Sequence, residues 1–186
     1  MKAPATRMEL YTWVLWSTSQ YCVLILLSDF QTKYAYIVIF MMLGYIAGIT
    51  ILGFVKKITD EKIIKSGFII TILSFCFFFI VNYLFDHILF SLSFSYFFYT
   101  LSNAFLSASM LSLVSKERAL DQQGKGFGLI ISADSFGFLA ATFAVLIFNS
   151  LKLKVEHMII FSFASFLVSW FPYKKYKELR VNASRD

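Results

Sequence analysis

Asp134 is a carboxylate set inside an apolar run. It stands about eight residues into Gly126–Asn149, which is roughly 12 Å along a helix rising 1.5 Å per residue. A carboxylate at that depth in a lipid-crossing helix is costly unless it faces water, pairs or takes up a proton. Such a group suits reversible protonation. It suits equally a structural hydrogen bond near one boundary of the membrane, since structural networks also perturb carboxylates. No Lys or Arg lies at matching depth in the other runs, and Ser132, Ser135 and Ser109 are the candidate hydrogen-bond partners. In the run Ile88–Val114, the residues Tyr96, Tyr99, Thr100, Asn103 and Ser107 share one helical stripe. An amide in lipid needs a partner or a wet cavity. The stripe therefore either lines a substrate path or ties helices together. In the first apolar run Gln20 is the most deeply placed polar residue, on a face with Trp13, Ser17 and Leu24. Trp13 reads as an interfacial anchor. The 23 phenylalanines offer surface for stacking or cation–π recognition of aromatic or cationic compounds, or else face lipid.

Other chemistries lack their marks. The sequence has no glycine-lysine phosphate loop, no Gly-x-Ser-x-Gly elbow and no His-Glu-x-x-His zinc motif. Cys22 and Cys76 lie in separate apolar runs and read as small packing residues. His87 and His157 fall at run edges, far apart in sequence. Neither a disulfide framework nor a metal-ligand spacing emerges. A channel filter or charged ring is likewise not evident. The expectation is a protein that is not an enzyme and carries no cofactor.

The elements that position these residues follow from composition. The chain of 186 residues is 59% hydrophobic and 15% charged, far from the balance of a soluble domain. Spanning the hydrocarbon core takes about 20 apolar residues. Six runs qualify as spans: 11–28, 34–55, 66–85, 88–114, 126–149 and 157–173. Backbone groups in lipid must be satisfied internally, so the runs read as helices; the alternation of a barrel is absent. The first run lacks a small-x-small cleavage site and reads as retained rather than as a signal peptide. The expected fold is an all-α polytopic membrane domain covering 1–186, with six transmembrane helices and a basic tail at 174–186.

Basic residues alternate between the gaps. Fourteen of the seventeen Lys and Arg residues fall in the N-terminus (Lys2, Arg7), the second-to-third gap (Lys56, Lys57, Lys62, Lys65), the fourth-to-fifth gap (Lys116, Arg118, Lys125) and the tail (Lys174, Lys175, Lys177, Arg180, Arg185). The other gaps hold Lys33, Lys152 and Lys154. Cytoplasmic loops keep basic residues, so both ends are expected in the cytoplasm. The net charge of +6 is thus an orientation signal, with anionic headgroups beside the tail; no soluble face is large enough for a nucleic-acid footprint.

Short outer gaps at 29–33, 86–87 and 150–156 make consecutive helices antiparallel neighbours. Similar lengths in runs one to three and four to six are compatible with a three-plus-three repeat. Small residues let helices approach closely in lipid. Gly44 and Gly48 share one face, and Gly124, Gly128 and Ser132 share another. These faces pack either on neighbours in this chain or on helices it does not contain.

Two segments carry a family resemblance. Ser115–Gly137 reads SKERALDQQGKGFGLIISADSFG. It resembles the link between helices ten and eleven of proton-coupled drug and tetracycline-type exporters of the major facilitator superfamily, with Gln123-Gly124, Gly128, Ser132 and Ser135 matching. Gly53–Lys62, GFVKKITDEK, sits where that family's Gly-x-x-x-Asp-Arg loop or its degenerate copy lies. Gly53 and the basic character agree, but a lysine replaces the acid and the second glycine is missing. In topology the chain resembles the C-terminal six-helix half. The resemblance implies secondary transport of a small molecule by alternating access, with a second six-helix half supplied by another chain, a missing N-terminal part or a second copy. It places Gln20, Tyr96, Tyr99 and Asn103 toward the substrate, Gly44, Gly48, Gly128 and Ser132 at the seam between halves, and Asp134 near that seam as a coupling group. The implied location is the bacterial inner membrane. The alternatives are a non-transporting scaffold or truncated transporter remnant, and a small channel or enzyme subunit.

Overall fold

A computed structural model describes residues 3–31, 35–54, 58–85, 88–117 and 123–183. The described part of each apolar run lies in one helix: α1 (Ala3–Gln31), α2 (Ala35–Phe54), α3 (Asp60–Phe85), α4 (Ile88–Glu117), α5 (Gln123–Ser150) and α6 (Val155–Ala183). Among the described residues no strand occurs. Three helices extend well past their apolar runs. α1 begins at Ala3 rather than Tyr11, α3 at Asp60 rather than Ser66, and α6 continues ten residues beyond Tyr173. The apolar run marks what lipid must cover, while backbone hydrogen bonding carries a helix on until a local signal stops it.

Those signals are visible at two ends. The N–H groups of Lys62 and Ile63 donate to the Thr59 carbonyl at 2.9 and 3.2 Å, and Asp60 and Glu61 in the first turn of α3 complement the helix dipole. α5 ends in a paired closure. Leu153 N–H donates to Phe148 O and Lys152 N–H to Asn149 O, each at 3.0 Å. This is the pattern of a Schellman motif, whose reversing residue takes the left-handed conformation. Here that residue is Lys152, with φ 53°.

Four helices contain segments long and apolar enough to cross a bilayer: Ile37–Phe54, Asp60–Leu84, Phe90–Lys116 and Gln123–Ser150. The chain is therefore a multi-pass membrane protein. α1 and α6 are equally long but more polar. Their hydroxyls are turned inward: Thr12, Ser17, Thr18 and Ser19 on α1 and Ser162, Ser165 and Ser169 on α6 are all buried. Large apolar side chains are exposed instead, among them Ile39, Met42, Ile46, Phe136, Phe143 and Phe171. Hydroxyls inside and hydrocarbon outside is the arrangement that lipid as a solvent favours.

The helices divide into two compact units, one holding α2, α3 and α4 and the other α1, α5 and α6. This division does not follow the boundary of a three-plus-three repeat. In the first unit α4 packs on both α2 and α3. A Cβ on Gly44 would collide with the Phe97 carbonyl and the Thr100 hydroxyl; one on Gly48 would sit 2.7 Å from Ala104 Cβ and 2.8 Å from Leu101 O. The close approach lets Thr100 Oγ1 donate to the Met41 carbonyl at 2.9 Å. On the other side of α4, Ser102 Oγ donates to Gly67 O at 2.5 Å and pairs with Thr71 Oγ1 at 2.5 Å. Ser74 Oγ donates to Ser95 O at 2.5 Å. Buried hydroxyls of this kind join helices where the hydrophobic drive is absent. At one end of the unit Asp60 on α3 accepts from Lys116 Nζ on α4 at 2.6 Å and from Ser112 Oγ at 3.1 Å.

Candidate functional site

The Asp134 carboxylate is half-buried in the unit of α1, α5 and α6. Ser17 Oγ donates to its Oδ1 at 2.5 Å, and Tyr21 OH donates to its Oδ2 at 2.7 Å. Ser17 and Tyr21 are one turn apart on α1, so both hydroxyls project from one face. Gly137, one turn beyond Asp134 on α5, makes the approach possible. A Cβ there would collide with Ser17 Cβ and lie 2.9 Å from Thr18 N and 3.0 Å from Val14 O. The Tyr21 ring stands edge-on to Phe138 with centroids 5.1 Å apart, which fixes the ring while its hydroxyl reaches the acid. Ser19, on another face of α1, pairs with Ser162 Oγ of α6 at 3.1 Å, and Ser162 Oγ also donates to Ser19 O at 2.8 Å.

This arrangement can hold the acid in either protonation state. Ionised, Asp134 accepts from both hydroxyls; protonated, it becomes a donor, and a hydroxyl oxygen can accept in turn. Among the described residues no group of His, Cys, Asp and Glu could hold a metal ion.

The expected partners of Asp134 are corrected in part. Ser132 and Ser135 are exposed and donate to carbonyls of their own helix, Gly128 O and Ile131 O, each at 2.9 Å. Ser109 is buried on α4. Gln20 is half-buried on α1. Tyr96 and Tyr99 are buried on α4, their rings 6.4 Å apart, with Tyr99 edge-on to Phe75 of α3 at 5.7 Å. Asn103 is half-buried one turn further on, where its backbone carbonyl accepts from Ser107 Oγ at 2.7 Å. The α4 stripe thus belongs to the unit of α2, α3 and α4, and Gln20 and Asp134 to the other. The two glycine faces part company. Gly44 and Gly48 pack on α4 of this chain. Gly128 and Gly124 face open space, with nothing within 4 Å of a built Cβ.

Tyr21 and Glu9 carry no functional expectation from the sequence. Tyr21 could have been found from its position four residues after Ser17. Glu9 is 1% exposed on α1, four residues before the buried Trp13, whose ring lies tilted against Trp16 with centroids 4.8 Å apart. Cys22 and Cys76 are free thiols, buried and exposed respectively. Lys56 and Lys57 of the GFVKKITDEK segment, residues 118–122 of the second matching segment, and His87 lie outside the described residues. Comparison with protein-family models, curated proteins and solved structures returned no match.

Proposed function

We propose that the chain is a six-span protein of the bacterial inner membrane with both termini in the cytoplasm. On this reading it acts as half of a secondary transporter that moves a small molecule by alternating access, with Asp134 as the proton-coupling group. The observation that carries the proposal is the Asp134 carboxylate, held by Ser17 and Tyr21 across two helices inside an apolar helix. Polar groups are expensive in lipid, and an ionisable one marks a functional pathway by default. α1 and α6 count as spans because the described serines and threonines within their apolar runs are buried. Between His157 and Lys174 every exposed residue of α6 is apolar: Ile160, Ala164, Leu167, Val168 and Phe171.

One observation favours a second reading. Both Asp134 oxygens are satisfied and Gly137 locks α1 onto α5, as a static scaffold or a transporter remnant requires. Proteoliposome uptake of a cationic aromatic dye, with and without an imposed proton gradient, separates the two. Transport predicts gradient-driven flux that Asp134→Asn abolishes. Flux unchanged by Asp134→Asn removes the coupling role, and absence of any flux, alone or with a partner half, favours the scaffold.

A further inference from the structure

The 29 residues of α6 extend roughly 43 Å, against about 30 Å for the hydrocarbon core. The helix therefore projects past the lipid it crosses in the six-span reading, on which this inference rests. Its outward stripe changes character within one turn. Ala164, Leu167, Val168 and Phe171 are exposed and apolar; Lys174 and Lys175 follow on the same stripe, three and four residues after Phe171, and are exposed and cationic. The turn is anchored rather than loose. Tyr173 and Tyr176 are buried, and Tyr173 lies against Trp170 with centroids 5.5 Å apart. Lys175 Nζ donates to Glu178 Oε2 at 3.2 Å, but both side chains are more than half exposed, at 58% and 52%. Such a pair contributes little and leaves Lys175 able to exchange partners. From 174 onward the chain has five basic residues against two acidic ones.

We infer that Lys174 and Lys175 form a binding site for the phosphate headgroup of an anionic phospholipid. A lipid whose chains lie along Leu167, Val168 and Phe171 has its headgroup at the height of the two ammonium groups. The continuity of the stripe favours lipid over a soluble acidic partner, which would need the lysines but not the apolar residues beneath them. Trp170, one turn before Lys174 and half-buried, sits at the expected glycerol level, as interfacial aromatics do.

Trp170 also supplies the test. The chain has three tryptophans, and Trp13 and Trp16 are buried. The full chain is reconstituted in phosphatidylcholine bilayers containing brominated phosphatidylglycerol or brominated phosphatidylcholine, and fluorescence quenching is followed against lipid fraction. The Trp170→Phe variant gives the background. Brominated phosphatidylglycerol is expected to quench the Trp170 component with about fivefold or greater preference, on the scale of one surface lysine's attraction to anionic lipid. The preference should vanish in a Lys174→Gln/Lys175→Gln variant. Equal quenching by both lipids, or a preference surviving in the double variant, overturns the headgroup site while leaving α6 as a span. No quenching by either lipid removes Trp170 from the lipid boundary, and the spanning reading of α6 falls with the site.

Discussion

Tyr21 donates its phenolic proton to Asp134 at 2.7 Å while its ring rests on Phe138, one turn along α5 from the acid. The contact therefore has an apolar part that positions the ring and a polar part that satisfies the carboxylate. Tyr21→Phe removes only the second. A hydrogen bond to a charged group is worth about 1.5–3 kcal/mol, and Ser17 remains as a donor. Tyr21→Phe is expected to lower stability to thermal or denaturant unfolding in detergent by the lower end of that range. Ser17→Ala should act similarly. The two losses should be non-additive, because both donors serve one carboxylate. A double variant whose loss equals the sum of the singles would mean that the hydroxyls act independently.

The glycines give a contrast within one chain. Gly137 is jammed against the α1 backbone and Gly44 against the Phe97 carbonyl, whereas Gly128 faces open space. Gly137→Leu and Gly44→Leu must push helices apart and break the Asp134 and Thr100 contacts. Overpacking of this kind costs about 1–3 kcal/mol, occasionally more. Gly128→Leu should leave monomer stability within about 0.5 kcal/mol of the parent, as changes away from packed sites do. Equal destabilisation by Gly128→Leu and Gly137→Leu, measured by thermal unfolding in detergent, would contradict this packing.

Much of the helical layout was legible, because the length of an apolar run reports directly on the lipid a helix crosses. Helix ends were not, since Arg7, Asp60 and Tyr176 continue helices through polar sequence that lipid does not select. Gly44 and Gly48 announced a packing face by their spacing, but the choice of α4 as partner is a non-local outcome that no spacing encodes. Asp134 was conspicuous as a charge among apolar residues. Its partner Tyr21 was not, because a tyrosine in a membrane helix reads equally as lipid-facing or interfacial. Glu9 was hidden for a different reason: it precedes the apolar run, and its burial depends on α1 starting eight residues before that run.

Lys152 occupies the left-handed position of the α5 closure, with φ 53°. An L-residue there carries a steric penalty of about 1–2 kcal/mol that glycine escapes. Glycine also loses more chain freedom on folding, by roughly 0.5–1 kcal/mol. The steric gain is the larger, so Lys152→Gly should stabilise the protein by a few tenths to about 1 kcal/mol, whereas Lys152→Val should destabilise it. A higher thermal midpoint for the glycine variant in detergent is the expected reading, and a lower one would mean that the turn is held differently.

The basic-loop alternation and the α5 closure together make an orientation prediction. Lys152 lies in a gap poor in basic residues, while Lys65 lies near the start of α3 in a basic one. In six antiparallel spans the two fall on opposite faces, since the helices after position 65 cross the membrane three times before position 152. Single cysteines at these positions, in a background where Cys22 and Cys76 are replaced by alanine or serine, report the faces directly. A membrane-impermeant maleimide added to intact cells should label Lys152→Cys and spare Lys65→Cys until the membrane is opened. Labelling of both in intact cells would end the two-sided arrangement. The reversed pattern would keep the spans and invert the chain, placing the Lys174 and Lys175 cluster outside the cell.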